Sequence, residues 1–143
     1  MATVTVSLLA VVIAPSASAS HTGLGAVRAF DYGFEGVPAE IEASHRFDFK
    51  FANVGAEFHE FVLLELAPEH QDATVEEAIA AADSNDLSFI SGFAGAAFAA
   101  PGEVAKAALR PDDVGRYVYF CFFQTADDVP HYQLGMVGFL DAT

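Results

Sequence analysis

The chain is predicted to fold as an all-β sandwich with Greek-key connections and one short helix in an excursion. Apolar and polar residues alternate strictly over residues 45–51, short apolar runs are separated by turns rich in Gly and Pro, and one stretch, around Thr74, carries a helix start signal. With 143 residues and 53% hydrophobic content, the chain is one domain with ample material for a core.

In chain order, residues 26–34 alternate loosely and are punctuated by Gly33 and Gly36. Residues 37–43 alternate around Pro38, which suits an edge strand or a strand start, and the two stretches make a first strand pair. Over 45–51, Phe47, Phe49 and Phe51 share one face while Arg46, Asp48 and Lys50 share the other, so this strand has one wet side. Residues 53–57 turn the chain into an apolar strand over 58–66, with His59 at its mouth. Thr74-Val75-Glu76-Glu77 has the spacing of a capping box, which starts a helix over 75–83.

Residues 87–100, rich in Gly and Ala with Phe89, Phe93 and Phe98 spaced along them, are expected to form an irregular cover over a sheet face. Pro101-Gly102 turns the chain into a strand at 104–109, and residues 111–115 turn it again. Residues 116–123 form the last long strand, with Tyr119, Cys121 and Phe123 on one face and Val118, Phe120 and Phe122 on the other. Such a strand needs a cover on both sides, which the 87–100 segment is expected to supply. Residues 137–140 close the sheet.

Residues 4–13 are an apolar run followed by Pro15-Ser16-Ala17-Ser18-Ala19-Ser20. The run is about half of the roughly 20 residues a membrane span needs, and Ala17-x-Ala19 is a cleavage pattern. Residues 1–19 therefore read as a signal peptide, with a buried first strand as the alternative. No Lys or Arg precedes the run, so its positive charge comes from the amino terminus or from sequence upstream. Twenty Asp and Glu against six Lys and Arg give a net charge of −14, spread along the chain. Such a surface argues against nucleic acid and anionic membranes as partners; it suits concentrated salt or steering toward a basic protein.

The richest chemistry lies in residues 117–140, which place the single cysteine, Cys121, with His131 and Met136 in one strand-loop-strand unit. With His59 they offer two imidazoles, a thiolate and a thioether. This set suits copper that cycles between two oxidation states: soft sulfurs favour Cu(I), and a His2Cys plane with a weak axial Met is the arrangement of blue-copper centres. One cysteine excludes an internal disulfide and leaves an inert core thiol, an interchain bridge or a metal ligand. Each residue also has a plainer role: Cys121 or Met136 as core, His59 bonded to a backbone carbonyl, His131 solvated in a loop. Their joint order favours the metal. His21, near the new amino terminus, is a weaker Cu(II) candidate, and His45 and His70 are expected to face solvent. The pairs Asp112-Asp113 and Asp127-Asp128 lack calcium-loop spacing.

The order of a strand, an Asn53-x-Gly55 bend and His59, then Tyr117-x-Tyr119-Phe120-Cys121, a loop, His131 and Met136, resembles the cupredoxins, the small blue-copper fold. The resemblance covers residues 26–140 with a large insertion. It implies a cupredoxin-like Greek-key β-sandwich over 20–143 and one type 1 copper ion. His59 and His131 would be the imidazole ligands, Cys121 the equatorial thiolate and Met136 the long axial thioether. His131 would present its ring edge to solvent as the gate for the electron. Two features depart from the pattern. The loop between Cys121 and His131 is longer than in the small electron carriers of that family and nearer to that of the copper nitrite reductases. Glu60 stands where many members place an Asn that hydrogen-bonds near the residue after the Cys; Phe122 there offers only backbone, so the ligand frame is expected to be looser.

The resulting expectation is a non-enzymatic, exported, monomeric one-electron carrier, periplasmic, extracellular or at the cell surface. It would serve redox partner proteins, one with a basic docking face, and have no membrane span in the mature chain. Two alternatives stand beside it. One is a metal-free cupredoxin-like binding or structural module that engages a partner through 87–100; the other holds Cu(I) for delivery. A nitrite reductase or multicopper oxidase would need further His clusters on additional domains, and a dinuclear oxidase centre a second Cys. Nothing in the chain resembles a Ser/His/Asp triad, a phosphate loop or a paired-carboxylate site.

Overall fold

In the computed structural model, residues 25–143 are described; His21 and the stretch 1–19, read from the sequence as a signal peptide, lie outside the described residues. The strands are β1 (Ala26–Phe30), β2 (Gly33–Glu35), β3 (Glu40–Ile41), β4 (Phe47–Asn53), β5 (His59–Leu66), β6 (Ile90–Ala99), β7 (Val104–Leu109), β8 (Gly115–Phe120) and β9 (Val137–Ala142), with one α-helix, α1 (Val75–Ser84), between β5 and β6. They form a four-stranded sheet ordered β2-β1-β4-β7 and a five-stranded sheet ordered β3-β9-β8-β5-β6. Parallel pairing joins β1 to β4 and β3 to β9, and the other pairs are antiparallel. Among the described residues no helix is long and apolar enough to cross a membrane.

The Phe alternation of β4 works as its pattern dictates: Phe49 and Phe51 are buried between the sheets while Asp48 and Lys50 face water. Opposite them stand Phe61 and Leu63 of β5 and Tyr117 of β8, all fully buried in the same cluster. A second, smaller cluster lies on the outer side of the five-stranded sheet, where Leu66, Val118 and Phe120 meet Ala78, Phe89 and Tyr132. The helix over this face starts at the expected capping box: Glu77 N–H donates to Thr74 Oγ1 at 3.3 Å, and Thr74 N–H to the Glu77 carboxylate at 2.8 Å.

Three expectations need correction. Residues 26–34 are not one strand but a hairpin, β1 and β2, that turns at Asp31-Tyr32; the 37–43 stretch contributes only the short edge strand β3. Residues 87–100 are not an irregular cover: Leu87–Phe89 is a 3₁₀ turn, and Ile90–Ala99 is the full edge strand β6. Its alternation is disguised by a bulge. Leu63 pairs with Gly95 and Leu64 with Phe93, so Ala94 is an extra residue and the buried positions become Ala94, Ala97 and Ala99. Small residues are required here because the two sheets meet: Arg110 N–H of the β7 side bonds Ala94 O at 2.6 Å. A Cβ on Gly95, at φ +143°, would lie 2.6 Å from Ala108 O. Third, the outer face of β8 is covered by α1, Phe89 and Tyr132 rather than by the 87–100 segment as a whole.

Candidate metal centre

The site is assembled at one end of the sandwich, where β5 begins and β8 ends. His59 is the first residue of β5, placed by a bend that the buried Asn53 builds. Asn53 Oδ1 accepts from Gly55 N–H at 2.9 Å, and its Nδ2 donates to Glu57 O at 2.7 Å and Ala99 O at 2.9 Å. Cys121 directly follows β8. Its N–H donates to Met136 O at 3.0 Å, and its carbonyl accepts from Tyr132 N–H at 3.1 Å. His131 opens a 3₁₀ turn, with its N–H on Phe123 O at 2.8 Å, and its carbonyl accepts from Met136 N–H at 3.1 Å. Five residues on one backbone net therefore fix where the thiol, the second imidazole and the thioether start.

The donor atoms of His59, Cys121 and His131 lie within 4.8 Å of one another, and all three residues are buried. Cys121 Sγ is 3.5 Å from His131 Nδ1. Met136 is fully buried in the same inter-sheet cluster as Cys121. Among the described residues, this is the group of His, Cys, Asp and Glu side chains that can hold a metal ion. His45 and His70 stay outside it. Both are half-buried rather than fully solvent-facing, His45 within 3.4 Å of Glu42 and His70 stacked on Phe89.

Each imidazole is held from behind by a carboxylate. His59 Nε2 is 2.6 Å from Asp31 Oδ1, whose partner oxygen takes Ala56 N–H at 2.8 Å. His131 Nε2 lies 2.8 Å from Glu57 Oε2, although neither atom makes a well-aligned hydrogen bond. Tyr32 stands edge-on to both rings, with centroid distances of 6.5 Å to His59 and 5.0 Å to His131. His131 is consequently fully buried. This corrects the expectation that its ring edge faces solvent: the β1–β2 turn and the bend before β5 close over it. Asp31, Tyr32 and Glu57 were not legible as site residues. Asp31 comes from a distant turn, and the available signal for Glu57 was an acid two residues before a strand-end histidine.

Glu60 also departs from expectation. Phe122 N–H donates to Glu60 Oε1 at 2.9 Å, and Glu60 N–H points to Cys121 Sγ at 3.4 Å. The carboxylate thus does reach the residue after the cysteine, and the frame is tied, not loose. Burial pushes the Glu60 carboxyl up, against the Phe122 N–H that favours its ionised form.

Burial also pushes the Cys121 thiol up to about 11. The imidazole of His131 is held below its usual range by burial and then by the nearby His59, with Glu57 acting in the opposite sense. For Asp31, burial works against ionisation, but the hydrogen bonds from Ala56 N–H and His59 outweigh it and hold the carboxyl low. The buried His59 Nδ1 has no hydrogen-bond partner. An orphaned buried nitrogen costs about 1–3 kcal/mol, and a metal ion beside the thiol would satisfy it.

The packing behind His59 leaves no room at Gly55. An added methyl group would run into the Asp31 carboxylate and lie 2.7 Å from His59 Nε2. Gly55→Ala is expected to destabilise the metal-free protein by about 1–3 kcal/mol, measured as a lower urea midpoint. An unchanged midpoint would mean that the bend yields freely.

No family profile and no curated protein matches the sequence. Solved structures do. A reduced auracyanin from Roseiflexus castenholzii aligns with TM-score 0.55 at 18% identity, over 83% of this chain and 95% of that one. Auracyanin B aligns with TM-score 0.52 at 23% identity, over 85% and 91%. These neighbours are cupredoxins. This chain has the cupredoxin fold. A multi-copper oxidase from Pediococcus acidilactici also aligns, with TM-score 0.52 at 12% identity, over 92% of this chain but 29% of that one. Within the cupredoxin fold, the cluster of His59, Cys121 and His131 fits a single type 1 copper site.

Proposed function

We propose that the protein is an exported one-electron carrier in which His59 Nδ1, His131 Nδ1 and Cys121 Sγ would hold one type 1 copper ion, with the Met136 thioether as a further, weaker ligand. The observation that carries this reading is the unpartnered, buried His59 Nδ1 in a cluster with the thiol and the second imidazole. Bound copper would supply a centre that accepts and returns one electron. The chain's own residues do the rest. The His59 ring is anchored at Nε2 by Asp31, His131 Nε2 lies 2.8 Å from the Glu57 carboxylate, the thiol is anchored by the Glu60 N–H, and little has to move when the charge changes.

All four proposed ligands are fully buried, which suits passage of an electron without exchange of ligands with water. With His131 covered, the exposed path from the thiolate runs through Phe122 and Phe123, the latter packed on exposed Phe58 at 6.1 Å between ring centroids. The apolar run and Ala17-x-Ala19 pattern support export, and the charge of −14 supports a basic redox partner.

The test is a visible spectrum of the chain from residue 20 onward, loaded with copper, reduced and reoxidised. An intense band that bleaches on reduction is expected; a colourless protein that retains no copper sinks the reading and leaves a metal-free module. Because burial pushes the free thiol up to about 11 and copper takes the thiolate, binding at pH 7 should release about one proton per ion. Below the thiol's range, apparent affinity should then fall by about tenfold for each unit of acidification. Binding without proton release would place copper elsewhere.

A further inference from the structure

Each of the two buried imidazoles has a carboxylate behind it. Neither is a surface pair: the rings of His59 and His131 are buried, and Asp31 and Glu57 are only partly exposed. Asp31 is aimed by Ala56 N–H, so one of its oxygens is fixed by backbone while the other meets His59 Nε2. Glu57 sits on the bend that Asn53 holds through the Glu57 carbonyl, and its Oε2 is buried against His131 Nε2. The imidazole rings lie 5.0 Å apart between centroids and are inclined at 59° to each other, with Tyr32 against both. Two separate segments, the β1–β2 turn and the bend before β5, thus converge on the same task.

A neutral imidazole carries its proton on one nitrogen, and a carboxylate at Nε2 selects the Nε2–H form, which leaves Nδ1 as a lone-pair donor. We propose that Asp31 and Glu57 are positioning residues of the metal centre, which fix both histidines as Nε2–H tautomers with Nδ1 toward Cys121 and bias bound copper toward its higher oxidation state. The second half rests on the copper reading above; the first half does not. The sign of the bias follows from charge. Two carboxylates near the ion, and the more basic imidazoles they create, stabilise the doubly charged ion more than the singly charged one. Removing either negative charge therefore raises the reduction potential.

The experiment uses the full chain stripped of copper and then loaded. In the metal-free wild type at neutral pH, ¹⁵N-detected imidazole resonances should place the proton of both His59 and His131 on Nε2. Glu57→Ala should lose that preference at His131 and keep it at His59. Glu57→Gln retains an oxygen acceptor and should restore the tautomer. In the loaded protein, Glu57→Gln and Asp31→Asn should each shift the ratio of Cu(II) to Cu(I) affinity about tenfold toward Cu(I), a rise of about 59 mV for a one-electron couple.

An Nδ1–H tautomer at either histidine of the wild type overturns the positioning role. Potentials equal to that of the wild type in both charge-neutral variants overturn the bias. If the wild type gains no visible band with copper, the copper reading and the bias fall together, and the tautomer measurement still decides the positioning role.

Discussion

The copper-loaded Cys121→Ser protein is expected to show no intense visible band. An intense band needs charge transfer from a thiolate to Cu(II), and the chain holds one sulfhydryl, so no other residue can supply it. Serine keeps the size of the side chain and an acceptor for the Glu60 N–H, so the fold should survive the exchange. The two anchored imidazoles remain and should still hold Cu(II), but more weakly. Losing a partner one shell removed from a metal typically costs 10–100-fold in affinity; losing a direct ligand should cost roughly 100-fold or more. Wild-type protein with copper at about 1,000 times its dissociation constant gains about 4 kcal/mol of stability, and most of that gain should vanish in the variant. Absorption and a competitive copper titration check both effects. A variant that keeps the wild-type band would remove Cys121 from the site.

The largest effect on stability is expected from Phe61→Ala. Phe61 is fully buried and touches rings from both sheets: Phe34 of β2 at 5.3 Å, Phe49 of β4 at 6.1 Å and Tyr119 of β8 at 5.1 Å between centroids. Removing it leaves a void that none of these strand-held rings can close. Replacing a buried Phe with Ala costs about 3–5 kcal/mol, and in a domain of this size that corresponds to a fall in Tm of roughly 10–15 °C. Denaturant titration should show a lower midpoint at unchanged slope. A cost below about 1 kcal/mol would mean that the two sheets are not held through this residue. The surviving folded fraction should still take up copper, since the ring packs between the sheets while the ligands lie at their end.

These two predictions differ in how far the sequence alone supports them. The aromatic core was legible because Phe47, Phe49 and Phe51 repeat with the period of a strand. The capping box at Thr74 was legible because its two bonds join residues three positions apart. His59, Cys121 and His131 could be grouped by ligand chemistry, and the structure brings them together. Strand β6 was missed because two inserted residues, Ser91 and Ala94, shift the period and Gly and Ala carry little strand preference of their own. The burial of His131 was missed because it depends on Tyr32 and Glu57, which lie far from it along the chain. The role of Glu60 was misjudged because an amide was assumed where a carboxylate of similar reach accepts the same N–H.

The long segment between Cys121 and His131 is less slack than its length suggests. Gln124 and Pro130 pair across its base, Thr125 N–H closes on Val129 O at 3.0 Å, and Thr125 Oγ1 accepts from Asp127 and Val129. His131 N–H then returns to Phe123 O, beside the thiol. The segment behaves as a short ligand-bearing strap with a self-closed knot tied outside it. The distance between thiolate and imidazole is set at the neck of that knot, so residues 126–128, beyond the Thr125–Val129 closure, are expected to tolerate exchange without changing the span between the two ligands.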